Sequence, residues 1–265
     1  MPPQVAMMNQ QTEQSLGLLP TMAELALSGR SLPHLTRAVV VAEALRRAAL
    51  ARHRVPSATL AGKDAEGRPL TGQHRHAHYV ADCRGLAAAE PHSSLRITHM
   101  VVHAPAGLLP SEVAALLGVR YLPAYVHGPE VAEPEPLAVM LCGLGHVTAL
   151  HGSRLFGRST VFASRTPFVL PRHRKRGDEP EDQLVRELRL RGLPIPRQIE
   201  RTLGPLGLAK SQTPPWSAFL RHRRRDELTT GYYGFRLEFA EAVSGPLLLG
   251  SGCHYGLGQC VPYAE

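Results

Sequence analysis

"TRAVVVAEALRRAALAR" (residues 36–52) is the segment that organises the first half of the chain. Val41, Leu45 and Ala48 or Ala49 fall on one face at a helical period, so an amphipathic helix is expected. Glu43 precedes Arg47 by four positions, a favourable helical pair. Arg46, Arg47 and Arg52 gather toward the C-terminal end, where the helix dipole favours cations. Upstream, "MAELALSG" (22–29) reads as a strand, separated from the helix by "SLPHLT". Downstream, "PSATLAGKDAEGRPLTG" (56–72) has loop chemistry throughout. "GQHRHAHYV" (72–80) reads as a strand, and "LRITHMVVHAP" (95–105) as another, ended by Pro105 and Gly107. "PSEVAALLG" (110–118) is a short helix opened by Pro110 and Ser111 and stopped by Gly118. "VRYLPAYV" (119–126) is expected as a strand interrupted by Pro123. The order strand, helix, strand, strand, helix, strand is that of a ferredoxin-like fold.

The second half reads as a looser repeat. "HGPEVAEPEP" (127–136) is a linker or exposed loop. "LAVMLCGLGHV" (137–147), "RSTVFASRTPFVL" (158–170) and "YYGFRLEFA" (232–240) are strand material. "DEPEDQLVRELRLRG" (178–192) is a helix with Asp178 as cap, acids in its first turn, arginines in its last, and Gly192 beyond. The expected fold class is α+β: two ferredoxin-like folds in tandem with a glycine-rich loop at the C-terminus. Residues 1–20 are a polar tail, 21–135 the N-terminal lobe and 136–265 the C-terminal lobe.

Of the 265 residues 43% are hydrophobic, enough for a core, and the net charge is +8 with a pI near 9.7. A basic chain of this kind suits a polyanionic partner or is simply a basic enzyme. No apolar run reaches the roughly 18–20 residues a bilayer span needs, and the N-terminal residues lack a signal-peptide pattern. Cys83, Cys142, Cys253 and Cys260 form no C-x-x-C pair, so reduced thiols in a cytoplasmic protein are expected.

Three features can carry chemistry. His74, His76 and His78 alternate, so on a strand they share one side. Successive same-side residues lie roughly 6–7 Å apart, a spacing that suits a phosphate chain better than tight chelation. Histidine both accepts and gives a proton near neutral pH. Three exposed histidines on an edge strand, proton transfer beside RNA, and a metal site all remain open, although no C-x-x-C completes a zinc set. The basic runs "RHRKR" (Arg172, His173, Arg174, Lys175, Arg176) and "RHRRR" (221–225, with Arg221, Arg223, Arg224 and Arg225) offer cationic side chains, among them guanidinium forks, to phosphates. Trp216, Phe219, Tyr232, Tyr233 and Phe235 flank the second run, placed either to stack on bases or to fill the core. "GSGCHYGLGQ" (250–259) brings His254 into a loop with Gly256 and Gly258, whose backbone can approach an anion closely. Two H-x-T tripeptides, "HLT" (34–36) and "HVT" (146–148), also match the pair found in two-histidine cyclic phosphoesterases.

These stretches in order resemble the crRNA-processing half of the CRISPR-associated fusion protein of type I-G (formerly I-U) systems, a family of the RAMP superfamily. The likeness runs from about residue 22 to 263 through "LPHLTRAVVVAEALRRAAL", "GRPLTGQHRHAHYV" with "ITHMVVHAPAGL", "TPFVLPRHRKRGDEPEDQLVRELRLRGLP", "FRLEFAEAVSGPLLLG" and "CHYGLGQCVP". Gln259 and Cys260 stand where the family more often has apolar residues. The resemblance implies paired RAMP/RRM-like ferredoxin folds and an endoribonuclease that cuts CRISPR repeat RNA without metal or other cofactor. A base deprotonates the 2′-OH, the oxygen attacks phosphorus, and an acid protonates the leaving 5′-oxygen, giving a 2′,3′-cyclic phosphate. The histidine strand is the expected source of acid and base: His76 and His78, with His74 assisting and His34 and His53 in reserve. The basic runs, His254, Gly256 and Gly258 would hold the RNA. Members of the family usually carry a further RAMP-like half, which this sequence lacks, so a separated subunit or a fragment is expected. Other type I effector subunits are further expected partners. A non-catalytic crRNA-binding subunit and a cyclic phosphoesterase are the alternatives.

Overall fold

The computed structural model describes residues 19–70, 75–84, 95–128, 131–146, 153–174, 176–208, 212–220 and 231–263. The first lobe starts with β1 (Met22–Ser28), followed by a 3-10 turn (Leu35–Arg37) and α1 (Ala38–Arg52). The buried face of α1 carries Ala38, Val41, Ala42, Leu45 and Ala49, the helical spacing anticipated from the sequence. A single turn, α2 (Ala58–Ala61), leads to β2 (His78–Asp82) and β3 (His99–His103). Next come α3 (Pro110–Leu117), the short β4 (Tyr121–Leu122) and β5 (Leu137–Gly145). The sheet order is β2-β3-β1-β5-β4, and every pair is antiparallel.

The fourth strand of this ferredoxin-like unit is therefore β5, not the stretch 119–126. Pro123 confines that stretch to a two-residue pairing against the outer edge of β5. A strand running on through 123 would need an N–H that proline lacks. Cys142 lies where the β1–β5 register shifts, between the partners of Glu24 and Leu25.

The second lobe repeats the scheme. β6 (Arg158–Ser164), β7 (Phe168–Val169), α4 (Pro180–Leu190), β8 (Gln198–Thr202) and β9 (Tyr232–Ser244) are followed by β10 (Leu247–Leu248) and β11 (Gln259–Pro262). The order β8-β9-β6-β11 is again that of a ferredoxin-like fold, with β7 and β10 as short additions. The stretch between β10 and β11, where a second helix would stand, is the glycine-rich loop. The fold is thus α+β, with two ferredoxin-like units in tandem. α4 is capped by Glu179 rather than Asp178, with Asp182 returning a bond to the cap nitrogen. Asp178 instead accepts from Gln183 and Arg186.

Each lobe buries its own core. Ala23, Leu25 and Leu27 of β1 face α1, whereas Phe162, Phe235, Leu237 and Phe239 pack beneath Leu184 and Leu188 of α4. A third cluster joins the lobes: Met22, Val80 and Val101 on the opposite face of the first sheet meet Leu155, Leu248 and Cys253. Beside it runs a buried polar seam. Asp82 accepts from Arg84 at 3.0 Å and lies 3.7 Å from Arg165 of β6's end, while Arg84 also pairs with Glu24. Burying charges is tolerated only when they are paired this way. No helix among the described residues is long and apolar enough to cross a membrane.

Candidate functional site: a stack of imidazoles between the two lobes

β2 begins at His78, so His76 precedes the strand; His74 lies outside the described residues. The His76 and His78 rings nevertheless lie 6.3 Å apart and 12° from parallel. Into that gap the glycine-rich loop inserts His254. Its ring lies 3.7 Å from His76 and 3.8 Å from His78, centroid to centroid. The successive spacing of a strand is about twice the thickness of an aromatic ring, which is why one imidazole fits between two. His103, opposite His78 in the β2–β3 register, extends the row at 6.1 Å.

Main-chain contacts fix the rings. His254 donates from Nδ1 to the carbonyl of Ala77 (3.1 Å), and His78 donates from Nδ1 to the carbonyl of Cys253 (3.4 Å). With Nδ1 carrying the proton, the lone pair of each neutral ring sits on Nε2. His76 lies on Gly62, where a Cβ would come within 2.6 Å of the imidazole. Gly62 also ends α2 in the left-handed region at φ 66°.

The loop that delivers His254 depends on glycine at Gly258. A Cβ there would sit 1.7 Å from the carbonyl oxygen of Leu249, with φ at +62°. Beneath the loop, Arg191 donates to the Leu248 carbonyl and pairs with Glu187, and Glu187 accepts from the Gly250 nitrogen. Arg191 also reaches Cys253 Sγ at 3.4 Å. Tyr255, next to His254, receives the Arg46 guanidinium over its ring, which ties the loop to α1.

Burial divides the imidazoles. His78 is 3% exposed, whereas His76 and His254 are half-buried. Desolvation holds His78 well below the ordinary histidine range, and the neighbouring His254, His103 and Arg191 push the same way. Burial also depresses His103, to about 4, and its Nδ1 has no hydrogen-bond partner. His78 and His103 are thus neutral at pH 7. Charge on one ring of such a stack disfavours charge on the next.

The other candidates lie apart from the stack. Arg172, His173, Arg174 and Arg176 are exposed, with Arg174 paired to Glu179; Lys175 and residues 221–225 lie outside the described residues. His53 contacts the Val55 carbonyl and Ser111 on the surface. His34 accepts from the Thr36 nitrogen at the 3-10 turn and pairs with Arg96, beyond one end of β1. His146 contacts Thr21 beyond the other end. A seven-residue strand spans roughly 20 Å, so the two H-x-T histidines do not share a site. Trp216, Phe219 and Phe235 are core residues rather than base-stacking surfaces. Cys253, His103, Glu187 and Arg191 were not singled out from sequence. The β2–β3 register, which no local pattern records, sets His103 opposite His78.

No protein-family model and no curated protein matches the chain. A solved structure described as a Cas6 (TTHB231) product complex is similar at a TM-score of 0.35 and 14% identity, over 92% of this chain and 99% of that one. The fold assignment rests on the strand orders above.

Proposed function

We propose that this chain is an endoribonuclease that cuts CRISPR repeat RNA by acid–base chemistry on the 2′-hydroxyl, without a metal ion. The observation that carries the reading is the face contact between His76 and His254, two half-buried imidazoles brought together by opposite lobes beside a glycine-rich loop. The chemistry requires one of the two rings neutral and the other protonated. The neutral ring takes the 2′-OH proton. The charged ring gives its proton to the leaving 5′-oxygen, and a 2′,3′-cyclic phosphate remains. Such acid–base assistance typically contributes about 10²–10⁴ in rate. His78, buried and neutral, acts through its contact with the loop as a positioning residue. Arg172, His173, Arg174 and Arg176, with Lys175 and the run 221–225, supply cations along the RNA backbone, and Gly256 and Gly258 let the loop approach it.

The test is incubation of the chain with repeat RNA in EDTA, beside the same RNA bearing one 2′-deoxy nucleotide at the cut. Cleavage of the first and not the second is expected. Cleavage of both, or cleavage only after metal is added, overturns the mechanism. Binding without cleavage assigns the chain as a crRNA-binding subunit instead, a reading that the burial of His78 favours.

A further inference from the structure

We propose that His78, Cys253 and His254 form a binding site for a divalent ion of the zinc class, and that its occupancy switches the imidazole stack off. Candidate ligand atoms of all three residues lie within 4.8 Å of one another. A zinc ion with nitrogen ligands at about 2.0–2.1 Å and thiolate at about 2.3 Å needs these atoms roughly 3.3–3.6 Å apart, a gap that side-chain rotation must close. Two histidines and one cysteine are a borderline-soft donor set that suits zinc over magnesium or calcium.

Main-chain contacts hold both rings. Each histidine already donates Nδ1–H to a main-chain carbonyl, the contact that orients ligating imidazoles and leaves Nε2 as the donor. Burial keeps His78 neutral, the form that ligates. Burial also raises the Cys253 thiol, and Arg191 at 3.4 Å opposes that rise, so the ion would bind with release of the thiol proton. The Arg191 charge is itself paired with Glu187. Three protein ligands leave a fourth position for water.

Binding has a structural consequence. The His78 and His254 rings lie 21° from parallel and 3.8 Å apart. To point their edges at one ion they must turn, which withdraws His254 from His76 and commits its lone pair. This inhibitory step rests on the ribonuclease reading; the binding step does not.

The experiment uses cobalt(II) as the spectroscopic probe on the full chain freed of metal by a chelator. One equivalent should produce the near-ultraviolet thiolate band and the visible bands of tetrahedral cobalt, both displaced by zinc. Cys253→Ser should remove the thiolate band, and both it and His254→Gln should weaken binding by roughly 10- to 100-fold or more, judged against the second-shell scale. No cobalt spectrum, or a Cys253→Ser variant that keeps the band, overturns the site. In a parallel assay, zinc should stop repeat-RNA cleavage and EDTA should restore it, while Cys253→Ser cuts in chelator and ignores zinc. Zinc that speeds cleavage or leaves it unchanged overturns the switch. A chain that binds cobalt yet cuts no RNA in chelator overturns the ribonuclease reading and leaves the metal site standing.

Discussion

His78 and His254 each hold the other's main chain: His78 donates to the carbonyl of Cys253, just before His254, and His254 donates to the carbonyl of Ala77, just before His78. The two bonds clasp a strand of one lobe to the loop of the other. Replacing His254 by Gln therefore removes an imidazole from the stack while keeping a donor near Ala77. Cleavage of repeat RNA should fall by about 10²–10⁴ with RNA affinity little changed. Single-turnover cleavage and a filter-binding titration measure the two separately.

The pH dependence of stability has a definite sign. His103 titrates at 6.5 when exposed and at about 4 when folded. The unfolded chain takes up this proton first, so stability falls as pH drops from roughly 6.5 to 4 and is level below that. His78 is shifted in the same direction. The His103 contribution is roughly 3 kcal/mol. Urea midpoints between pH 8 and 4 should fall less steeply for His103→Gln than for the parent.

Glu187 and Arg191 form a pair whose side chains are 10% and 13% exposed. Arg191→Met strands the Glu187 carboxylate, at a cost of about 3–5 kcal/mol. The double variant Glu187→Gln, Arg191→Met should recover much of that loss, since no charge is left unpaired. Denaturant unfolding of the parent and the three variants completes the cycle.

Two glycines with positive φ separate strain from collision. At Gly177, φ +76°, an added Cβ meets nothing within 4 Å, whereas at Gly258 it meets the Leu249 carbonyl at 1.7 Å. Gly177→Ala should cost about 1–2 kcal/mol for the left-handed backbone. Gly258→Ala should cost clearly more and should reduce cleavage as well, because it moves the loop that carries His254. Thermal melts and cleavage rates report the contrast.

Arg172 and Arg176 are exposed on the first basic run. Replacing both by Ala should weaken RNA binding and lower the slope of log affinity against log salt by about 1.4, or roughly 0.7 per lost contact on a single strand. The cleavage rate of bound RNA should not change. Binding titrations from low to moderate salt test this.

Much of this was written in local pattern. The helical spacing of Val41, Leu45 and Ala49 and the capped, charge-polarised segment before Gly192 both became helices, because period and end chemistry act over a few residues. β8 went unanticipated: Gln198–Thr202 is polar and largely exposed, so it shows no buried alternation, and it is a strand because β9 offers it a ladder. Residues 119–126 and β5 show the same limit, since both look like strands and only the edge left open by β1 chooses between them.

The alternation of His76 and His78 by itself pointed to two imidazoles on one side, since successive residues of extended chain face opposite ways, and the two rings do lie together although His76 precedes β2. The sequence also showed a glycine-rich stretch bearing His254 in the second half of the chain. Only the tertiary structure decided that this loop inserts its ring between the other two. That meeting joins His254 to residues 176 and 178 positions earlier in the chain and depends on the packing of Met22, Val80 and Val101 against Leu155, Leu248 and Cys253. Burial of apolar surface between two sheets is non-directional and acts regardless of separation along the chain, so no local pattern records which histidines it brings together.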